Sequence, residues 1–244
     1  LPRRRGLGFP EAAALVRERA ARDVRVEVVT ADVAQHEDVI ELFRRLQQRG
    51  VKLKGVMHLA GADGQSPIAD MTTDQLESLL APKVEGTWYL HEATRGVALD
   101  FFVCFSSFAS VFGSADRAQY AAANDFMDKP MHWRQSEGLP GLAVNWGPFS
   151  GGGMATKEAL ETLERMGNRG LEPEQALAVL EDLIETGTTQ AVVADLDWPR
   201  FRAIYEARRP RPLISQVSIE MTGGRASQHQ QASPGTWCRE LSEL

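Results

Sequence analysis

Short Val-rich runs alternate with longer helical patterns along this chain, and that alternation constrains its fold more than any other feature. VRVEVVTADV (24–33), VKLKGVMHLAG (51–61), DFFVCFSS (100–107), GLAVNWG (141–147) and QAVVADLD (190–197) read as strands, since they are Val-rich and small or polar residues close most of them. EAAALVRERAARD, EDVIELFRRLQQRG, the long stretch from Thr72 to Arg95, and AQYAAANDFMD read as helices. EDVIELFRRL repeats its apolar residues at the spacing of a helix packed on a sheet. Alternating β and α with near-continuous apolar strands predicts an α/β fold, a doubly wound parallel sheet covered on both faces. In such a sheet a ligand lies outside the carboxyl ends of the strands. Asp32, Gly61, Ser107 and Trp146 fall at those ends.

Composition narrows the class. Of 244 residues, 43% are hydrophobic and 25% charged, which suits one α/β domain with or without a tail. The net charge of −6 argues against nucleic acid as a partner, because phosphate contacts need a concentrated basic face. No apolar run approaches the roughly 20 residues of a membrane helix. The opening LPRRRGLGFPEAAA lacks the apolar core of a signal peptide. Cys104 sits in an apolar run and Cys238 in a polar one, so no disulfide is expected and a reducing cytoplasm fits. The five histidines share no ligand spacing with each other or with cysteine, and no metal is expected.

Residues 1–213 read as one domain. Within it, SGGGMATKEALETLERMGNRG follows a strand end directly and joins a glycine cluster to a short helix, so 148–170 reads as a lid over the cleft. From 214 to 244 the chain turns polar and aperiodic, the composition of a linker.

One cluster collects what is needed to move a proton onto a carbonyl oxygen. Tyr120 and Asn124 stand four residues apart in a helical pattern and so share a face. Ser107 ends the preceding strand, and Lys83 lies upstream in APKVEGTWYLHE. A tyrosine with an unperturbed pKa of about 10 needs a nearby cation to act as an acid near neutral pH. Each residue also has an ordinary reading: a solvated lysine, a helix-capping serine, a helix-start aromatic, an asparagine satisfying backbone. Ser106 competes with Ser107 for the serine role.

These motifs resemble the catalytic half of a ketoreductase domain of a modular polyketide synthase, a relative of the short-chain dehydrogenases/reductases. The likeness runs through TADV (30–33), HLAG (58–61), LAPKVEGTWYLHE (80–92), FSSFASVFG (105–113), QYAAANDFMD (119–128) and LPGLAVNWGP (139–148), in that order. It implies a Rossmann-like sheet and NADPH-dependent reduction of a β-ketoacyl thioester held on an acyl carrier protein, beside other synthase domains. Under the resemblance Tyr120 protonates the carbonyl oxygen and Ser107 hydrogen-bonds it, while Lys83 and Asn124 support the tyrosine and a proton relay. Ser107 is preferred to Ser106 because the family's serine lies thirteen residues before its tyrosine. Arg4 and Arg5 would meet the 2′-phosphate of NADPH, Asp32 the adenine, and Gly61 would let backbone approach the cofactor ribose.

The chain departs from the family pattern in one large respect. It opens where the second strand should be ending, so the first βα unit and its Gly-rich phosphate turn are expected upstream in a longer polypeptide. The alternative is a non-catalytic structural subdomain of a megasynthase. The segment 62–67 reads ADGQSP where the family carries a Leu-Asp-Asp signature, and Phe112 replaces a signature tryptophan. The hydroxyl configuration of the product is therefore not announced. Pro130 is expected to kink or end the tyrosine-bearing helix.

Overall fold

The computed structural model describes residues 18–19, 24–62, 64–151, 155–215 and 217. Four parallel strands form its sheet: β1 (Gly55–His58), β2 (Phe101–Ser107), β3 (Leu142–Trp146) and, after a two-residue strand β4 (Asn168–Arg169), β5 (Gln190–Val193). The order is β1-β2-β3-β5. A further pair of residues, β6 (Asp195–Leu196), runs antiparallel to β4. The helices are α1 (His36–Gln48), α2 (Thr73–Leu80), α3 (Val84–Thr94), α4 (Phe108–Phe112), α5 (Ala118–Ser136), α6 (Lys157–Arg165), α7 (Pro173–Glu185) and α8 (Trp198–Tyr205).

The strand side chains divide between two faces with the period of two that a pleated strand imposes. Val103, Leu142, Val144, Trp146 and Val193 face Ala176, Leu180 and Leu183 of α7. Phe102, Cys104 and Ala143 point the other way, onto Val39 of α1, Leu90 of α3, and Met127 and Met131 of α5. Every residue of β3 is buried, as a central strand covered on both faces must be. Burial pushes the Cys104 thiol up to about 12, so it packs as a small apolar group. The sheet is thus doubly wound and Rossmann-like, as the alternation predicts.

Three local expectations need correction. Residues 24–31 form no strand: no described residue offers them a ladder, and Val24 and Val29 stay exposed. A Val-rich run supplies the side chains of a strand, but only a hydrogen-bonded neighbour makes it one. The stretch from Thr72 to Arg95 is two helices, not one. Thr72 and Gln75 close a capping box at the start of α2, and the chain turns at Ala81–Pro82–Lys83, where proline has no N–H to carry the helix on. Pro130 neither ends nor interrupts α5, which continues to Ser136. A proline inside a helix costs about 3 kcal/mol. Met127 and Met131, fully buried on either side of it, together recover roughly that amount or more. The expected helix 11–23 and the segment 214–244 lie largely outside the described residues.

Candidate active site

The break after α2 decides where Lys83 goes. It becomes the residue before α3, only 4% exposed, and its stem runs inward under the sheet's carboxyl edge. Lys83 Nζ donates to the Phe105 carbonyl of β2 and to Met127 Sδ of α5, both at 3.2 Å. Neither contact is to Tyr120. Burial is the main force on this ammonium and brings it down from 10.5 to about 8, while Cys104 and Asp128 act in the opposite sense. It remains largely protonated at neutral pH, a cation inside the fold.

Gly61 makes room for that stem: a Cβ there would lie 2.9 Å from Lys83 Cε. His58, three residues earlier, is 2% exposed, and burial followed by the Lys83 charge holds its imidazole down at about 4. It is a neutral wall of the site, a part the sequence did not single out.

Ser107 closes β2 and caps α4, its Oγ accepting from Ala109 N at 3.2 Å. That capping bond uses an oxygen lone pair and leaves the hydroxyl hydrogen free to be donated. Ser106 faces the interior instead, 6% exposed, with Oγ donating to the Asn124 carbonyl. The two serines therefore separate as successive residues of a strand do, one to the cleft end and one to the core.

Tyr120 and Asn124 occupy one face of α5, as their spacing predicts. Asn124 is fully buried, and its Nδ2 donates to the Tyr120 carbonyl at 2.7 Å. Its Oδ1 is buried with no protein partner. The Arg117 guanidinium stands 5.9 Å from the Tyr120 ring centre. The loop carrying ADGQSP is tied to the same helix start: Ser66 N donates to the Asp116 carbonyl at 2.9 Å, and Gln119 Nε2 to the Gly64 carbonyl at 3.2 Å. Asp116 takes the left-handed φ of 55° that this turn requires. The loop is thus coupled to the entry of α5.

Asp32 leads into α1. Its Oδ1 accepts from Ala34 N at 3.1 Å, a local turn that leaves the other carboxylate oxygen available. Arg4 and Arg5 lie outside the described residues. The segment read as a lid is pinned at its root, where Leu171 N donates to the Pro148 carbonyl and Ser150 N to the Leu171 carbonyl. Its helix α6 buries none of its residues. Two further buried polar residues, Asp128 and Asn145, stand behind the serines and escaped the sequence reading. Both left a signal: Asp128 follows Asn124 by one helical turn, and Asn145 is the lone amide in an apolar strand.

The structure thus brings a buried lysine to the end of β2, which Ser107 closes, and against α5, the helix that carries Tyr120 and Asn124. The family model described as KR domain matches residues 1–151, and the chain belongs to that family, the oxidoreductase domains of polyketide synthases. Polyketide synthase GfsA of Streptomyces halstedii is 34% identical over 95% of this chain, which spans 3% of that protein. Erythronolide synthase EryA3 of Saccharopolyspora erythraea is 34% identical over 99% of this chain, 7% of its own length. Among solved structures, A-type ketoreductases from a modular polyketide synthase superpose with a TM-score of 0.84 at 39% identity, covering 88% of this chain and 45% of that one. The ketoreductase from the first module of phoslactomycin biosynthesis in Streptomyces sp. HK803 gives 0.79 at 33%, covering 86% and 49%. The chain is a small part of the curated relatives and about half of the solved ones.

Proposed function

We propose that this chain is the catalytic half of a β-ketoacyl reductase that uses NADPH and acts on a thioester carried by an acyl carrier protein in a polyketide synthase. The observation that supports it best is the buried Lys83, held as a cation at the strand end that carries Ser107 and against the helix that carries Tyr120 and Asn124. An ion kept in a site that would be more stable without it is what proton chemistry requires.

Each residue has a defined task. Ser107 donates its free hydroxyl hydrogen to the carbonyl oxygen and fixes it. Tyr120 donates a proton to that oxygen. The positive charge of Lys83 stabilises the phenolate that remains. Asn124, whose Nδ2 donates to the Tyr120 main-chain carbonyl, offers its unpartnered Oδ1 to a water that returns a proton to the tyrosine. General acid catalysis of this kind contributes on the order of 10²–10⁴ in rate.

The residues present fit a nicotinamide cofactor. Ser107 at the carboxyl end of β2 has a hydroxyl hydrogen that its capping bond does not use, and Asp32 has a carboxylate oxygen outside its local turn. When bound, NADPH supplies the hydride that the carbonyl carbon receives. Asp32 would hold its adenine, Gly61 would lie against its ribose, and Arg4 and Arg5 would hold its 2′-phosphate. The stretch 148–170 closes over the acyl chain, and 214–244 leads toward the carrier, which presents substrate at high effective concentration. No helix among the described residues is long and apolar enough to cross a membrane.

The test is NADPH binding and consumption with a β-ketoacyl thioester, on the polypeptide that carries this chain. Wild-type protein should turn over, and Tyr120→Phe should abolish turnover while leaving NADPH affinity nearly unchanged. Retained turnover in the variant would overturn the acid assignment. Wild-type protein that binds no NADPH would favour the structural-subdomain reading.

A further inference from the structure

Behind the serine and the asparagine lies a buried polar network between the sheet and α5. Its centre is Asn145, fully buried at the middle of the sheet and paired in register with Ser106 of β2. Asn145 Nδ2 lies 3.0 Å from Ser106 Oγ, 2.7 Å from Ser110 Oγ and 2.8 Å from Asp128 Oδ2. Gln190 Nε2 donates to Asn145 Oδ1 at 3.0 Å, which fixes the amide's orientation, and reaches Asp128 Oδ2 at 3.2 Å. Among the described residues no cation contacts Asp128, which is 1% exposed; neutral side chains surround its Oδ2, and its Oδ1 has no partner.

What the network grips gives it meaning. Ser106 Oγ donates to the carbonyl of Asn124 at 3.1 Å, and Ser110 Oγ lies 2.8 Å from the carbonyl of Ser107. One amide thus links two hydroxyls, and each hydroxyl holds the main chain of a different site residue. The three elements joined, the end of β2, helix α4 and helix α5, are the ones whose relative placement sets the gap between Ser107 and Tyr120.

We infer that Asn145, Asp128, Ser106 and Ser110 form a positioning network that locks the serine-bearing strand end to the tyrosine-bearing helix at the distance carbonyl reduction needs. The inference rests on the reductase reading above. A proton path is a poorer account, because the route to the exposed His132 passes through the Gln190 amide, which carries no readily transferable proton. Three buried polar side chains, with half-buried Ser110 beside them, are costly to stability alone where apolar ones would pack dry, since each lost partner leaves a buried group unpaired. Their return is geometric. A displacement of about 1 Å between reacting groups can cost on the order of 10² in rate.

Ser110→Ala is the mildest test, since it removes one hydroxyl from a half-buried position and with it the grip on the Ser107 carbonyl. Asn145→Leu is the stronger one, near in shape and free of polar atoms. Both are made in the polypeptide that carries this chain. Melting temperature, NADPH dissociation constant and kcat per NADPH-binding site are read with a β-ketoacyl thioester. Positioning predicts kcat per site lowered several-fold in Ser110→Ala and about ten-fold or more in Asn145→Leu, with NADPH affinity within about two-fold of wild type. Ser110→Ala protein that binds NADPH normally and keeps wild-type kcat overturns the inference, whatever Asn145→Leu does to folding. Wild-type protein without turnover overturns the reductase reading instead, and this inference with it.

Discussion

Replacing Lys83 with Met should make the protein more stable and inactive at once, and the size of the gain follows from the lysine's surroundings. Met keeps an unbranched stem of similar length against Gly61 and Met127 but carries no charge. In the folded chain the ammonium loses its proton at about 8, against 10.5 for the free side chain. At about 1.4 kcal/mol per unit, the charged form costs the fold about 3 kcal/mol near pH 7. The sign follows from proton counts. Between about 8 and 10.5 the unfolded chain holds this proton and the folded chain does not, so wild-type stability rises with pH across that window. Below about 8 both states are protonated and the full cost remains. Urea unfolding of both proteins, followed by tryptophan fluorescence, should show Lys83→Met ahead by up to about 3 kcal/mol near pH 7, with the gap narrowing toward pH 10. Reduction of a β-ketoacyl thioester should be lost in the same protein. A variant less stable than wild type near pH 7, or a gap that does not change with pH, would refute the picture of a cation held against its solvation preference.

Two further outcomes can be checked. His58 is held at about 4 by burial and then by the Lys83 charge, below its ordinary 6.5, so it contributes stability above 6.5 that is lost as pH falls toward 4. His58→Asn should flatten the acid limb of the stability curve by up to about 3 kcal/mol relative to wild type, and an unchanged acid slope would count against it. If Arg4 and Arg5 hold the 2′-phosphate, replacing both with Ala should weaken NADPH binding far more than NADH binding, measured by fluorescence titration. Equal losses would indicate a general effect on folding.

How much was legible without coordinates can be argued residue by residue. Local periodicity was enough to place β1, β2, β3 and β5 and most helices, because alternation and amphipathic spacing record which faces meet a core. The pairing of Tyr120 with Asn124 was legible for the same reason, being set by helix geometry alone. Motif order carried the family. The run 24–33 was misread because its side chains suit a strand while no described ladder receives it. Pro130 was misread because a local penalty says nothing of the two buried methionines that outweigh it.

By itself, then, the sequence determined the doubly wound sheet and the family, and it nominated a serine–tyrosine–asparagine–lysine constellation, from local periodicity and motif order. Tertiary structure alone decided that Lys83 is buried and close to its titration point. It also decided that Ser106 faces the core while Ser107 faces the cleft, and that Asn145, Asp128 and Gln190 meet behind them. Those facts depend on contacts between residues 17 to 62 positions apart. The desolvation and hydrogen bonding that shift a pKa or aim a side chain arise only when the packed core brings such residues within a few ångströms.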